Sequence, residues 1–400
     1  GGHSFQIASD PRLSAVIPLV GWTDLEQSLF PNGAINYKLG IAEFYSGLEQ
    51  RVGSPPFFNY SQLQFDLFDA AAEGRLPPRY VLKQLRARSI ARRDSEGREI
   101  LDESRQPRVP VFIIQSWDDY LFPAPQVLDV FSQITSPKQI YLGRSGHPPG
   151  GHTFEGEEVF IGAQVLRWFD HYLRDIGGTD GRNVSSAPAP FEVPGIRTDR
   201  QLVPADASSF ELFVKPGGSL LPKKKGADSR ETAGGIFRPG RIRSSRTGAE
   251  IPSQSDMMSA YTQLMTGIPS RLAYTSRPLT TDTEMIGPSE LTLYVGSETS
   301  ADIDLIVRTF DIAPDGTETE VTVGITRVTG LSAGEIRQVM FRDYGDDWVF
   351  KSGHSLQIRI ANIDFPDFRP PGINDNTPST MTIHSGRTSP SSIRLSVRSR

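Results

Sequence analysis

Residues 109–147 read VPVFIIQSWDDYLFPAPQVLDVFSQITSPKQIYLGRSGH. VPVFIIQ is an apolar run of strand length, and its C-terminal end delivers Asp118 and Asp119. Residues 125–134 place Val127, Val130, Phe131 and Ile134 on one side of a helix, and a second apolar run, 139–142, follows. Strands with continuous apolar runs, separated by a helix, predict a parallel sheet covered on both faces. After the second strand comes a glycine-bracketed loop carrying His147. A carboxylate at one strand end and a histidine one unit later is how the last two members of a nucleophile–acid–histidine triad are laid out, with the nucleophile upstream.

Working outward, residues 14–20 (SAVIPLV) predict another buried strand. Residues 37–100 change character. Segments 58–74 and 78–93 carry helical spacing, broken at Gly53-Ser54-Pro55-Pro56 and Pro77-Pro78, and predict a helical cap over about 35–105 that would wall a pocket. Residues 157–173 predict a long amphipathic helix closing on Gly177-Gly178. The Pro- and Ser-rich stretch from Asn183 marks a linker, taken as 183–205. From 206 to 400 the pattern is short alternating strands with turn punctuation, including an Asp315-Gly316 hairpin, which predicts a β-sandwich of jelly-roll type. The expected organisation is therefore an α/β domain over 1–182, a linker, and an all-β domain.

Composition narrows the chemistry. Four hundred residues with 37% hydrophobic content fit two globular domains. A net charge of -5 with interleaved signs gives no footprint for nucleic acid. The basic cluster Lys223-Lys224-Lys225 reads as a solvated turn between Pro222 and Gly226. No apolar run approaches the roughly 18 residues a spanning helix needs. Without cysteine there is no disulfide, thiolate metal site or cysteine nucleophile. The N-terminus, GGHSFQIASD, has neither a basic region nor an apolar core and lacks an initiator Met, so it reads as processed or truncated rather than as a signal peptide.

At the acid position Asp119 competes with Asp118, and either could instead cap the following helix. At the histidine position His147 competes with His152 in the same glycine-rich loop. A histidine there would take the nucleophile's proton and pass it to the leaving group. His171, His354 and His384 read as structural. Gly2-His3-Ser4-Phe5-Gln6 resembles a G-x-S-x-G elbow, but Gln6 stands where a second glycine is needed and no strand precedes it. Asp302, Asp304, Asp311 and Asp315 suggest a metal cluster at first sight, yet their spacing along a strand and turn favours solvent-facing positions. No cofactor or metal is expected.

These residues resemble the Xaa-Pro dipeptidyl-peptidase and cocaine-esterase (CocE/NonD) type of serine hydrolase over nearly the whole chain. GWTDLEQSLFPNG (21–33) is similar to that family's W-T-D-L…P-N-G segment, QSWDDYLFP to its acid motif, and IYLGRSGH to its histidine motif. The β half, with ADIDLIVRTFDIAPDG and FKSGHSLQIRIANIDFP, looks like its C-terminal jelly roll. The resemblance implies an α/β-hydrolase fold, here the C-terminal strands with their cap, followed by the sandwich. It implies Asp119 as acid and His147 as base, and places the nucleophilic Ser before Gly1, which makes Ser4 a helix residue. Ser116 stands where the family usually has Gly.

The implied activity is cleavage of an ester or amide, in a small ester or a peptide, through an acyl-enzyme, with Trp22 and the cap as candidate pocket walls. An aminopeptidase would need a carboxylate pair for the substrate's amino group, with Glu43 and Asp66 as cap candidates. The competing class is a non-catalytic carbohydrate- or surface-binding protein with a degenerate hydrolase half. The few strands legible here predict that a preceding segment, carrying the nucleophile, completes the sheet as a partner, and that the chain alone is not a stable monomer.

Overall fold

In the computed structural model the described residues are 1–38, 62–147, 156–178, 181, 183–190, 195–224, 226–238, 261–372 and 378–400. Strands Val111–Ser116, Lys138–Gly143 and Val184–Ser186 lie parallel and in that order, with Arg197–Asp199 antiparallel at the end. Residues 14–20 run parallel to Val111–Ser116 on the other side. They are bridged at Val16–Val111 and Leu19–Ile114 and bonded through Val16 N–H to Pro110 O and Val20 N–H to Ile114 O. Pro18 has no N–H to give, so the pairing is discontinuous. Two strands thus come from the stretch expected to be linker. They are three residues each and join by backbone pairing, as where Ile140 N–H meets Asn183 O, which Pro-rich composition does not reveal.

The central strand shows why the run from Val111 to Ile114 is apolar. Val111 and Ile113 pack with Phe5, Ala8, Val127, Val130 and Ile134 on one face. Phe112 and Ile114 pack with Tyr141 and Trp168 on the other. Successive side chains point to opposite faces, and both are covered by helices: Gly2–Ile7 and Ala124–Gln133 on one, Glu157–Arg174 on the other. Each such aliphatic side chain, fully buried, is worth about 1.5–3 kcal/mol. The last helix ends at Arg174 rather than at the glycines, because Asp175 adopts the left-handed conformation. Its outer face leaves Val159, Leu166 and Leu173 more than half exposed.

The cap contains helices Gln62–Ala72 and Arg79–Ala87, which share a core with Phe30, Ile35 and Tyr37. It also holds a hairpin the periodicity missed, Ala91–Arg93 with Glu99–Leu101. The C-terminal half is a β-sandwich around one core that includes Leu293, Leu305, Val307, Ile358, Ile360 and Ile393. The Asp315-Gly316 turn links strands Ile303–Ile312 and Glu318–Val328, with Gly316 at φ 87°.

The halves are joined by more than chain. Strand Ile35–Asn36 pairs with Phe368–Arg369, and Ile306, Val323 and Ile325 turn their side chains onto Ala34 and Tyr120. Arg327 reaches Asp304 at 2.7 Å and the Gly74 carbonyl at 2.9 Å. Asp304 is fully buried by this pairing, and Asp311, also buried, accepts from the Trp348 indole at 3.0 Å and faces His354 at 2.8 Å. This corrects the solvent-facing reading for both; Asp302 and Asp315 are exposed as expected. Alternation along a strand cannot distinguish an outer face that meets solvent from one that meets another domain. No metal-ligating cluster occurs among the described residues.

Candidate active site

Strand Val111–Ser116 ends in a tight loop anchored by Trp117, whose indole donates to Ser186 Oγ at 3.1 Å. Asp119 is buried in this loop. Its Oδ1 accepts from the backbone of Leu121 at 2.9 Å and Phe122 at 3.0 Å, and its Oδ2 faces His147 Nδ1 at 3.3 Å. The helix that follows is capped by Pro123, so neither aspartate serves there. Asp118 turns to Arg144 instead, at 3.1 Å. The two aspartates therefore point to different partners.

The histidine loop is as firmly held. Gly143 must be glycine, since a Cβ would sit 2.1 Å from Glu157 Oε1 and 2.7 Å from the Tyr141 ring. Glu157 accepts from the Tyr141 hydroxyl and from the Arg144 backbone, both at 2.8 Å. Gly146 turns at φ 60°, in the left-handed region that favours glycine. His147 keeps 38% of its side chain exposed while Asp119 has none. A shielded carboxylate behind a half-open imidazole is the arrangement that fixes a tautomer and stabilises an imidazolium as it forms.

Trp22 donates its indole N–H to Arg88 O at 2.9 Å, and its ring lies 5.2 Å from that of Phe122. Phe122 in turn meets the His147 ring edge-on at 5.0 Å. Gly2 packs so closely on the Trp22 ring that a Cβ would collide with it. The start of helix Gly2–Ile7 is thus linked to His147 through two aromatic contacts. Phe122, part of the quoted acid motif, was not singled out from sequence. Ser4 lies within that helix. Asp66 accepts from Gln62 and Tyr80 on the cap surface. Glu43 and His152 lie outside the described residues.

Beside the acid loop, Arg93, Glu99, Asp343 and Tyr344 line a cavity of about 30 Å³ with Pro123 and Gln126. Each of the four has a buried side-chain polar atom without a partner in the described structure. Burial pushes the Glu99 carboxyl up to about 8 and that of Asp343 up to about 7. These carboxyls, from the cap hairpin and the sandwich, share one desolvated junction.

The fold recurs in solved structures of low sequence identity. An aminopeptidase from the marine sediment archaeon Thaumarchaeota archaeon is 16% identical with a TM-score of 0.68, covering 97% of this chain and 73% of its own. A CocE/NonD family hydrolase from Staphylococcus aureus is 16% identical with a TM-score of 0.70, covering 98% and 69%. An alpha-amino acid ester hydrolase is 15% identical with a TM-score of 0.64, covering 99% and 75%. These likenesses establish an α/β-hydrolase domain followed by a β-sandwich. Comparison with curated protein sequences gives no match. Residues 1–149 match the family model of X-Pro dipeptidyl-peptidase (S15 family), and residues 239–394 match that of the X-Pro dipeptidyl-peptidase C-terminal non-catalytic domain. Both family models are of X-Pro dipeptidyl-peptidases and fall in the expected order over most of the length, so the chain belongs to the X-Pro dipeptidyl-peptidase family of hydrolases and shares its fold with the CocE/NonD hydrolase.

Proposed function

We propose that the protein cleaves an ester or amide bond through an acyl-enzyme, with His147 as general base and acid and Asp119 as its orienting carboxylate. The observation that carries this reading is the contact of the buried Asp119 Oδ2 with Nδ1 of a half-exposed His147. With Nδ1–H directed at the carboxylate, Nε2 is the nitrogen left to take a proton from a nucleophile and return it to the leaving group.

Among the described residues only Asp119 hydrogen-bonds His147. Because Gly1-Gly2 resembles the end of the family's G-x-S-x-G-G elbow, the nucleophile would be a serine preceding Gly1, at the entry to helix Gly2–Ile7, close to the aromatic path from Gly2 to His147. The backbone N–H after that serine would be one oxyanion donor. Trp22 and Phe122 would form the apolar wall beside the imidazole.

The test is hydrolysis of a p-nitrophenyl ester by the protein extended upstream to include the elbow. His147→Ala should remove turnover and His152→Ala should leave it near wild type. Equal losses in both, or no turnover at all, would overturn the assignment and favour the non-catalytic binding reading.

A further inference from the structure

The loops that carry Asp119 and His147 are held by two side chains outside the proposed chemistry. Ser116 Oγ accepts from Asp118 N–H at 3.2 Å and from Gly146 N–H at 2.8 Å, and donates to Gly143 O at 3.4 Å. It cross-braces the acid loop to the histidine loop. Arg144, three positions before His147, is 2% exposed. Its Nη1 donates to Asp118 at 3.1 Å and to Asp346 Oδ2 at 3.0 Å, its Nη2 to Asp346 Oδ1 and to Asp347 O at 2.8 Å, and its Nε to Ala187 O at 3.3 Å. Asp346 opens strand Asp346–Phe350 of the sandwich and is itself buried. One guanidinium therefore joins the neighbour of Asp119, the root of the His147 loop, and the C-terminal domain.

A planar fork bonded on every side fixes direction as well as distance. That matters because 3.3 Å from Nδ1 to Oδ2 is already long for a hydrogen bond. A small drift of either loop would break it.

We propose that Asp346 and Arg144 are positioning residues for the Asp119–His147 pair, so that the β-sandwich sets the register of the two loops. Burial drives the Asp346 carboxyl toward protonation, and the Arg144 guanidinium opposes it. The proposal rests on the acid–base reading above, and the experiment separates the two.

The full chain, labelled with ¹⁵N-histidine, is examined by NMR for the Nδ1–H resonance of His147, assigned with His147→Gln. Asp119→Asn tests the reading itself: an unchanged resonance shows that Asp119 is not the partner and the acid–base assignment fails. If Asp119→Asn abolishes it, Asp346→Asn and Arg144→Lys test the clamp. The Nδ1–H should lose exchange protection by at least about tenfold, the equivalent of a hydrogen bond worth about 1.4 kcal/mol. Asp346→Glu should retain part of the protection. Should a single variant fail to fold, the double variant Arg144→Met/Asp346→Leu removes both charges together, a change often tolerated at buried pairs. A folded clamp variant with wild-type protection overturns the proposal.

Discussion

Glu99→Gln should make the protein more stable at alkaline pH and leave it unchanged near pH 4. Glu99 opens strand Glu99–Leu101, is 2% exposed, and leaves its Oε2 without a partner in the described structure. Arg93 stands opposite in the hairpin register, but two of its nitrogens bond Gln27 Oε1 and Gly97 O. Burial first, and then Asp24, push the Glu99 carboxyl up from 4.5 to about 8; Asp129 adds to this, while Arg93 and Arg342 oppose it. The folded chain therefore keeps a proton that the unfolded chain releases between about pH 4.5 and 8. Stability must fall as pH rises through that window and level off above it. At 1.36 kcal/mol per unit, the full effect is on the order of 5 kcal/mol. Glutamine cannot ionise, so the variant should gain about 3–5 kcal/mol over wild type at pH 8.5 and almost nothing near pH 4. Urea unfolding at half-unit pH steps gives the difference curve, in which the other carboxyls largely cancel. A difference that does not change with pH would mean that Glu99 ionises as an ordinary carboxylate.

Three further outcomes follow from contacts described above. Arg327→Met strands the fully buried Asp304 and should cost about 3–5 kcal/mol in urea unfolding, whereas Arg394→Met, at an exposed pair, should cost less than about 1 kcal/mol. Gly143→Ala should lower stability and broaden the His147 resonances, because its Cβ must displace Glu157 or the Tyr141 ring; an unperturbed spectrum would contradict the packing drawn here. Asp311→Ala should cost about 1–3 kcal/mol by orphaning the buried Trp348 indole N–H, visible also as a shift in tryptophan fluorescence.

The strands and helices that build the hydrolase sheet were legible wherever burial wrote a long apolar pattern. The run from Val111 to Ile114 had to be apolar because helices cover both its faces. Strands Val184–Ser186 and Arg197–Asp199 were not legible, since three residues paired mainly through backbone leave no periodicity. The hairpin at 91–101 was hidden by Arg93 and Glu99, charged residues that the cap and sandwich cover from outside, next to the exposed Arg92. At the site, spacing alone left Asp118 beside Asp119. Their separation depends on Arg144, whose partner Asp346 lies 202 positions away, and no local pattern encodes such a distance. Ser116 shows the converse: a departure from the family pattern at one position turns out to supply two hydrogen bonds to the histidine loop and one within its own.

The ionic seam between the halves has a consequence for how such proteins can be recombined. Arg144 with Asp346, Arg197 with Asp347, and Arg342 with Asp129 each place one charge in the hydrolase half and the other in the sandwich half. A chimera taking its sandwich from a relative would keep its stability only if these carboxylates and guanidiniums were exchanged together, because one orphaned member of a buried pair costs several kcal/mol. Drift at the seam should therefore proceed by paired replacement, and a library that shuffles the two halves freely should return mostly insoluble protein.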